Sequence, residues 1–125
     1  MNPEIEKIAK DVVDASMKIH MKLGPGVWEI VYEVVLAHEL RRRGYEVERQ
    51  RPVPIRYDDL IVEEGFKADL IVNNCLLVEL KSLEKLAPVH SKQVLTYIRL
   101  LDFRLGLLIN FGEALLKNGI KRIAN

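Results

Sequence analysis

The chain has 125 residues, 49% of them hydrophobic and 30% charged, which is typical of one globular domain covering residues 1–125. A single cysteine excludes a disulfide framework and any cysteine-rich metal site. The sequence shows no signal peptide and no apolar run of membrane length, so we expect a cytoplasmic protein without a membrane partner. The net charge is only +1, but residues 81–125 carry eight basic and three acidic side chains, which is compatible with nucleic acid on one face.

Two helices are predicted before the first strand. The first begins with an Asn2 cap and with Pro3 at the first helical position, and it ends at Gly24. The second covers about residues 27–43 and is ended by Gly44. The first helix carries no residue pattern that predicts chemistry, so we interpret it as a packing element.

The second helix has two candidate faces. Its aliphatic residues predict a core side formed by Val27, Ile30, Val31, Val34 and Leu40. Glu29, Tyr32 and Leu36 form a separate stripe, because residues three and four apart are neighbours on a helix. Near the amino end, Glu29 has an ordinary explanation as a partner of the helix dipole.

A pair of strands is predicted next. Residues 45–50 and 53–57 read as two strands around Arg51 and Pro52, or as one bent ribbon. Residues 58–65 are polar at both ends and are predicted to form a hairpin turn. The four acids in that segment are expected to be solvated.

The segment 66–81 predicts a hairpin that gathers three charged residues. A two-residue turn would place Asp69 opposite Val78, away from Glu79. A three-residue connection at 73–75 instead pairs Leu70 with Val78 and Val72 with Leu76. Asp69 then lies opposite Glu79, with Lys81 two residues further on the same face. We prefer this register because it keeps the aliphatic pattern.

Two carboxylates at that distance repel each other unless a positive charge lies between them. A hard divalent cation with oxygen ligands would satisfy both Asp69 and Glu79, and Lys81 is placed to act beside it. The alternative is a hairpin with one solvated, charged face, where such cross-strand neighbours are ordinary.

The last third of the chain is predicted to contain one helix and two strands. Pro88 opens a helix that extends to about Leu101, with His90, Gln93 and Tyr97 along one polar stripe. Residues 105–110 predict a buried strand because they are almost continuously aliphatic. Residues 119–123 predict a last edge strand.

Three motifs resemble those of known nucleases. Asp69, Glu79 and Lys81 resemble the signature of the PD-(D/E)XK nuclease superfamily. The segment GVWEIVY at 26–32 is similar to the motif that names the GxxExxY proteins, a branch of that superfamily. The segment QVLTY at 93–97 resembles the QxxxY pattern of RecB-like nucleases. The resemblance covers about residues 8–123, and the three motifs occur in the expected order.

One departure from the superfamily pattern is present. The proline of its name is absent, since Lys67 and Ala68 precede Asp69. The resemblance implies an α/β fold with a restriction-endonuclease-like αβββαβ core, in which helices flank a small mixed sheet. An extra helix would precede this core.

The resemblance also implies an activity and a set of site residues. It implies Mg²⁺- or Mn²⁺-dependent hydrolysis of phosphodiester bonds, with DNA as the expected nucleic acid. Asp69, Glu79, the main-chain carbonyl of Leu80 and Glu29 would hold the metal. Lys81 would stabilise charge in the transition state and Gln93 would orient the reacting groups. The substrate contacts implied are Tyr32, Tyr97 and His90.

An alternative function stays open at this level. The chain could be a catalytically silent module with the nuclease fold that binds nucleic acid or a protein partner. The apolar residues Ile61, Val62, Phe103 and Phe111 lie in segments that the predicted core does not obviously bury. Because exposed apolar patches mark interfaces, they favour a homodimer.

Overall fold

The computed structural model describes all 125 residues, which form three α-helices and one five-stranded sheet. The helices are α1 (Pro3–Leu23), α2 (Glu29–Arg42) and α3 (Pro88–Leu101). The strands are β1 (Val47–Tyr57), β2 (Leu60–Val72), β3 (Leu76–Lys81), β4 (Leu105–Asn110) and β5 (Ile120–Ala124), with a short 3₁₀ turn at Leu116–Gly119 before β5. This order confirms the predicted restriction-endonuclease-like core and its additional N-terminal helix.

The sheet is mixed and is covered by helices on both faces. Its strands lie in the order β1-β2-β3-β4-β5, and only β3 and β4 run parallel. That parallel pair is joined by α3, as a crossover connection requires. Helices α1 and α2 pack on one face, and α3 packs on the other through Val94 and Ile98. None of the helices combines the length and the apolar character that a membrane span requires.

The ends of α1 follow the predicted signals. The Asn2 side chain accepts a hydrogen bond from the main-chain N–H of Glu4 at 2.7 Å, and Pro3 is the first helical residue. The helix ends before Gly24, whose φ of +73° is in the region that glycine adopts readily. The turn that follows leads directly into α2, so the direction of this turn helps to set which side of α2 faces the sheet.

The predicted core side of α2 is wrong for three of its five residues, since Leu40 is buried and Val27 packs against the core as predicted. Ile30, Val31 and Val34 are exposed, whereas the face that packs on the sheet consists of Tyr32, Glu33, Leu36, Ala37 and Leu40. The two sides of this helix carry similar numbers of apolar residues, so hydrophobic periodicity does not decide between them. The decision comes from the preceding loop, to which the Tyr32 hydroxyl is bonded.

Two of the four residues that were expected to be exposed are buried. Phe103 lies under α3 and Phe111 stacks on Tyr32 with ring centroids 4.3 Å apart. Ile61 and Val62 are exposed, on the extended ribbon formed by β1 and β2. The patch proposed for association is therefore smaller than the sequence suggested, and the homodimer stays a prediction.

The β1–β2 ribbon is longer than predicted. β1 is one continuous strand from Val47 to Tyr57 and does not break at Pro52. β2 begins at Leu60, so most of the predicted turn at 58–65 is strand and the turn itself contains only Asp58 and Asp59. Within β1, Gln50 has a positive φ of +52°, and the register with β2 shifts between Val53 and Ile55.

The β2–β3 hairpin has the predicted register. Leu70 pairs with Val78 and Val72 with Leu76, across a three-residue connection. Asn73 and Asn74 in that connection have φ values of +48° and +51°, a conformation that asparagine tolerates better than most residues. This register brings Asp69 opposite Glu79, at the point where the ladder between the two strands stops.

Candidate active site

The strands β2 and β3 are joined by side chains where their main-chain pairing ends. The Glu79 carboxylate accepts a hydrogen bond from the main-chain N–H of Asp69 at 2.8 Å. The Asp69 carboxylate accepts one from the main-chain N–H of Leu80 at 2.9 Å. Each carboxylate therefore binds a main-chain donor of the opposite strand, and such charge-assisted hydrogen bonds hold both side chains in fixed positions.

The Glu79 carboxyl is buried beside a second carboxylate. Burial and, next, the negative charge of Asp69 raise the pKa of Glu79 to about 8. The main-chain N–H of Asp69 and the charge of Lys81 act in the opposite direction. A buried carboxyl group held this close to a second carboxylate forms a site that favours a cation.

Lys81 and Glu29 both lie within electrostatic range of this pair. Lys81 is half-buried at the end of β3, and its charge counteracts the upward shift of the pKa of Glu29, as it does for Glu79. Burial, followed by the charge of Asp69, raises the pKa of Glu29. Glu29 nevertheless remains an exposed residue at the amino end of α2, at the rim of the site.

The loop before α2 is fixed by Tyr32. The hydroxyl of Tyr32 donates to the main-chain carbonyl of Gly24 and accepts from the N–H of Val27 at 3.2 Å. The Ser82 hydroxyl, just after β3, donates to the carbonyl of Val27 at 2.8 Å. Together with Gly26, whose φ is +90°, these contacts fix where α2 starts and so where Glu29 lies.

This arrangement corrects the expectation that Tyr32 contacts substrate. Its side chain is fully buried, stacks on Phe111 and uses its hydroxyl inside the loop. A substrate could reach it only if the loop opened. Tyr32 therefore acts on the site by holding the loop that carries Glu29.

The polar stripe of α3 is divided between different environments. The Tyr97 ring stacks on Phe66 at 3.8 Å, and burial, then the charges of Glu79 and Asp69, raise the pKa of Tyr97. Tyr97 therefore lies beside the carboxylate pair. Gln93, one turn earlier, is exposed and forms no side-chain hydrogen bond, so its role stays a prediction. His90 is half-buried, and its Nδ1 accepts the main-chain N–H of Ala87 at 2.9 Å, which caps the helix.

Three polar residues near the pair were not predicted from the sequence: Glu33, Arg49 and Gln50. Glu33 is 1% exposed and forms an ion pair with Arg49 at 2.9 Å. Gln50 donates from its amide nitrogen to Glu33 at 2.7 Å and to Asp69 at 3.2 Å. The sequence does contain one indication for Glu33, because it is a charged residue beside Tyr32 and Leu36 on the same helix face. No local signal identifies Gln50.

The donor atoms at the pair suit a hard cation. No group of three or more His, Cys, Asp or Glu side chains lies close enough to hold a metal ion, so Glu29 does not join Asp69 and Glu79 in a three-acid cluster. Two carboxylates with main-chain carbonyl, water and substrate oxygens are the ligands that Mg²⁺ uses, whereas Ca²⁺ takes six to eight oxygens. The residues present therefore fit Mg²⁺ or Mn²⁺ better than a metal that needs a complete protein cage. The larger surface depressions lie elsewhere, one of them between α1 and Arg122.

The comparisons with known proteins give one match. A family model described as the PD-(D/E)XK nuclease superfamily matches residues 6–123, nearly the whole chain. No curated protein and no solved structure matches the chain. The matched residues include the carboxylate pair, Lys81 and every element that positions them.

Proposed function

The chain belongs to the PD-(D/E)XK nuclease superfamily, and on this basis we propose that it hydrolyses phosphodiester bonds in DNA with Mg²⁺ or Mn²⁺ as cofactor. The observation that carries the proposal is the reciprocal pairing of Asp69 and Glu79 with the main chain of opposite strands, next to Lys81. A hairpin with only a solvated charged face would leave its carboxylates in water and would not bury one of them against another.

The metal would be held by the carboxylates of Asp69 and Glu79 and by the main-chain carbonyl of Leu80. Bound there, a divalent cation lowers the pKa of a water and neutralises charge on the phosphate. The protein prepares the site by removing Glu79 from bulk water, since interactions between charges are stronger where the local dielectric constant is low. Glu79 would bind the cation as a deprotonated carboxylate, so metal binding would favour release of the Glu79 proton.

Lys81 is proposed to act on the reacting groups and not on the metal. Its ammonium group can donate hydrogen bonds to a phosphate oxygen or to the attacking water, but it cannot be a ligand while it is charged. A positive charge held beside the developing negative charge of the transition state lowers the barrier to hydrolysis. Lys81 also offsets part of the repulsion between the two carboxylates.

Other residues are proposed to orient substrate. Tyr97 presents a hydroxyl close to the pair, and its ring is held by Phe66. Glu29 at the rim is proposed to hold a water, since it does not reach a shared ligand position with Asp69 and Glu79. Gln93 and His90 lie one and two turns before Tyr97 on α3, and they are proposed to contact bound substrate.

A cleavage assay tests this function. Purified protein should cut linear DNA in the presence of Mg²⁺ or Mn²⁺, and cleavage should stop when EDTA removes the metal. Asp69→Asn should abolish cleavage, because the amide retains the size of the side chain and loses the charge. Glu63→Gln is the matched control, since Glu63 is exposed on the β1–β2 ribbon, and this variant should cut like the wild type.

The same assay with RNA separates the substrates. Faster cleavage of RNA than of DNA would replace DNA in the proposal. Binding of nucleic acid without cleavage under any divalent cation would instead favour the catalytically silent module.

A further inference from the structure

We infer that Gln50 is a positioning residue that holds the Asp69 carboxylate in the orientation needed for metal binding, an inference that rests on the proposed function. Gln50 lies on β1 between the paired residues Arg49 and Arg51, whose partners Leu70 and Ala68 flank Asp69 on β2. Its amide nitrogen carries two hydrogens, and two acceptors lie within hydrogen-bond distance of it: Glu33 at 2.7 Å and Asp69 at 3.2 Å. The amide therefore connects a buried carboxylate of α2 to the candidate metal ligand on β2.

The main chain at Gln50 is in an unfavourable conformation. Its φ is +52°, a left-handed conformation that is unfavourable for a residue with a Cβ. Such residues persist only where the surrounding structure holds them, and they cluster at functional sites. In this conformation the Gln50 side chain is hydrogen-bonded to both Glu33 and Asp69.

The side chains of β2 also switch from one face of the sheet to the other next to Asp69. Leu70 and Val72 pack on the α1–α2 side of the sheet, whereas Phe66 and Ala68 pack on the α3 side. All four residues have even numbers, so the normal alternation of a strand is broken between Ala68 and Leu70. Asp69 is the residue at that break. The register gives Asp69 no paired residue on either neighbouring strand, so its carboxylate is held by side-chain hydrogen bonds alone.

The other end of the connection is firmly anchored. Glu33 is almost fully buried, and its second oxygen is bound by Arg49 through two guanidinium nitrogens at 2.9 and 3.1 Å. A buried carboxylate bound in this way has little freedom to move. It can therefore hold the Gln50 amide in place, and the amide in turn holds Asp69.

Both oxygens of Asp69 are then accounted for. The Leu80 N–H binds Oδ2 and the Gln50 amide binds Oδ1, which fixes the rotation of the carboxylate. Each oxygen keeps a further lone pair for a cation. Hydrogen bonds of this kind to a metal ligand are commonly worth 10–100-fold in metal affinity.

A purely structural role for Gln50 predicts a different behaviour. If only the main-chain conformation of Gln50 mattered, glycine would be the better residue at this position, because glycine adopts positive φ without strain. A positioning role instead predicts that glycine keeps the fold and weakens metal binding. Stability and metal affinity then change independently.

The test is calorimetric titration of Mn²⁺ into wild type, Gln50→Gly and Gln50→Asn. Asparagine keeps the amide and tolerates positive φ, but it is one methylene too short to bridge both acceptors. We expect both variants to remain folded, with melting temperatures close to that of the wild type, and to bind Mn²⁺ about 10–100-fold more weakly. Asp58→Gly is the control, because Asp58 also has a positive φ (+50°) but lies in the ribbon turn, and its Mn²⁺ affinity should match the wild type.

Each other outcome counts against a specific claim. Equal Mn²⁺ affinity of wild type and the two Gln50 variants would overturn the positioning role and leave the nuclease function intact. If the loss of Mn²⁺ affinity in the variants is fully explained by their smaller folded fraction, the role of Gln50 is structural, and the positioning role is overturned. A wild type that binds no Mn²⁺ would contradict the proposed function itself, and this inference with it.

Discussion

Replacing Lys81 with alanine is expected to slow DNA cleavage by about 10²–10³-fold, the usual effect of removing one electrostatic stabiliser of a transition state. The affinity for Mn²⁺ should stay the same or rise slightly, because the substitution removes a positive charge that competes with the cation. The measurements are single-turnover cleavage rates at saturating metal and a Mn²⁺ titration on the same preparation.

Lys67→Ala is the matched control for this variant. Lys67 is an exposed lysine on β2, two residues before Asp69, so the change removes the same charge from a nearby surface position. It should cut within a few-fold of the wild-type rate. If Lys81→Ala cuts as fast as the wild type, Lys81 has no catalytic role, and any observed cleavage then needs another source.

The metal-free protein is expected to lose stability as the pH rises from about 5 to about 8. Burial and the charge of Asp69 raise the pKa of Glu79 from 4.5 to about 8 in the folded chain. Between these two values the folded chain binds a proton that the unfolded chain has released. Stability falls with rising pH wherever the folded state binds more protons, so the contribution of Glu79 decreases across this range.

Glu79→Gln isolates that contribution, since the neutral amide does not titrate. Relative to the wild type, its melting temperature should fall less between pH 5 and pH 8, and at pH 8 it should exceed that of the wild type by on the order of 5 °C. Thermal melts in EDTA measure both effects, with Glu63→Gln as the control that should behave like the wild type. A wild type and a Glu79→Gln variant with the same pH dependence would show that Glu79 ionises normally.

The hairpin that carries the site could be predicted from the sequence. A strand alternates its side chains strictly, so only one connection length stacks Leu70 on Val78 and also brings Asp69 opposite Glu79. The order of elements followed from equally local signals, such as the caps of α1 and the proline at the start of α3.

The orientation of α2 could not be predicted, because its two sides are almost equally apolar. Tertiary contacts decide the orientation. The Tyr32 hydroxyl is hydrogen-bonded within the loop before the helix, and Phe111, directly after β4, stacks on the Tyr32 ring. The stripe that contains Glu29 and Tyr32 was identified correctly as distinct from the aliphatic one. Which stripe is buried depends on the contact between Tyr32 and Phe111, which are nearly eighty positions apart in the sequence.

The Glu33–Gln50–Asp69 connection depends on two features that leave no local trace. One is the positive φ of Gln50, a conformation that glutamine rarely adopts. The other is the contact between α2 and β1, which joins residues 16 and 17 positions apart. A charged residue in an otherwise apolar helical stripe is the one sequence feature that points to it.

The most direct test of the account is a Mn²⁺ titration of three proteins: wild type, Glu79→Ala and Lys81→Ala. We expect one Mn²⁺ site per wild-type chain, loss of that site in Glu79→Ala, and retention of it in Lys81→Ala. This pattern would assign the carboxylate pair to the metal and the lysine to the reacting groups. A wild type without a defined site, or a Glu79→Ala variant that binds Mn²⁺ as tightly as the wild type, would contradict the assignment of the metal to the Asp69–Glu79 pair.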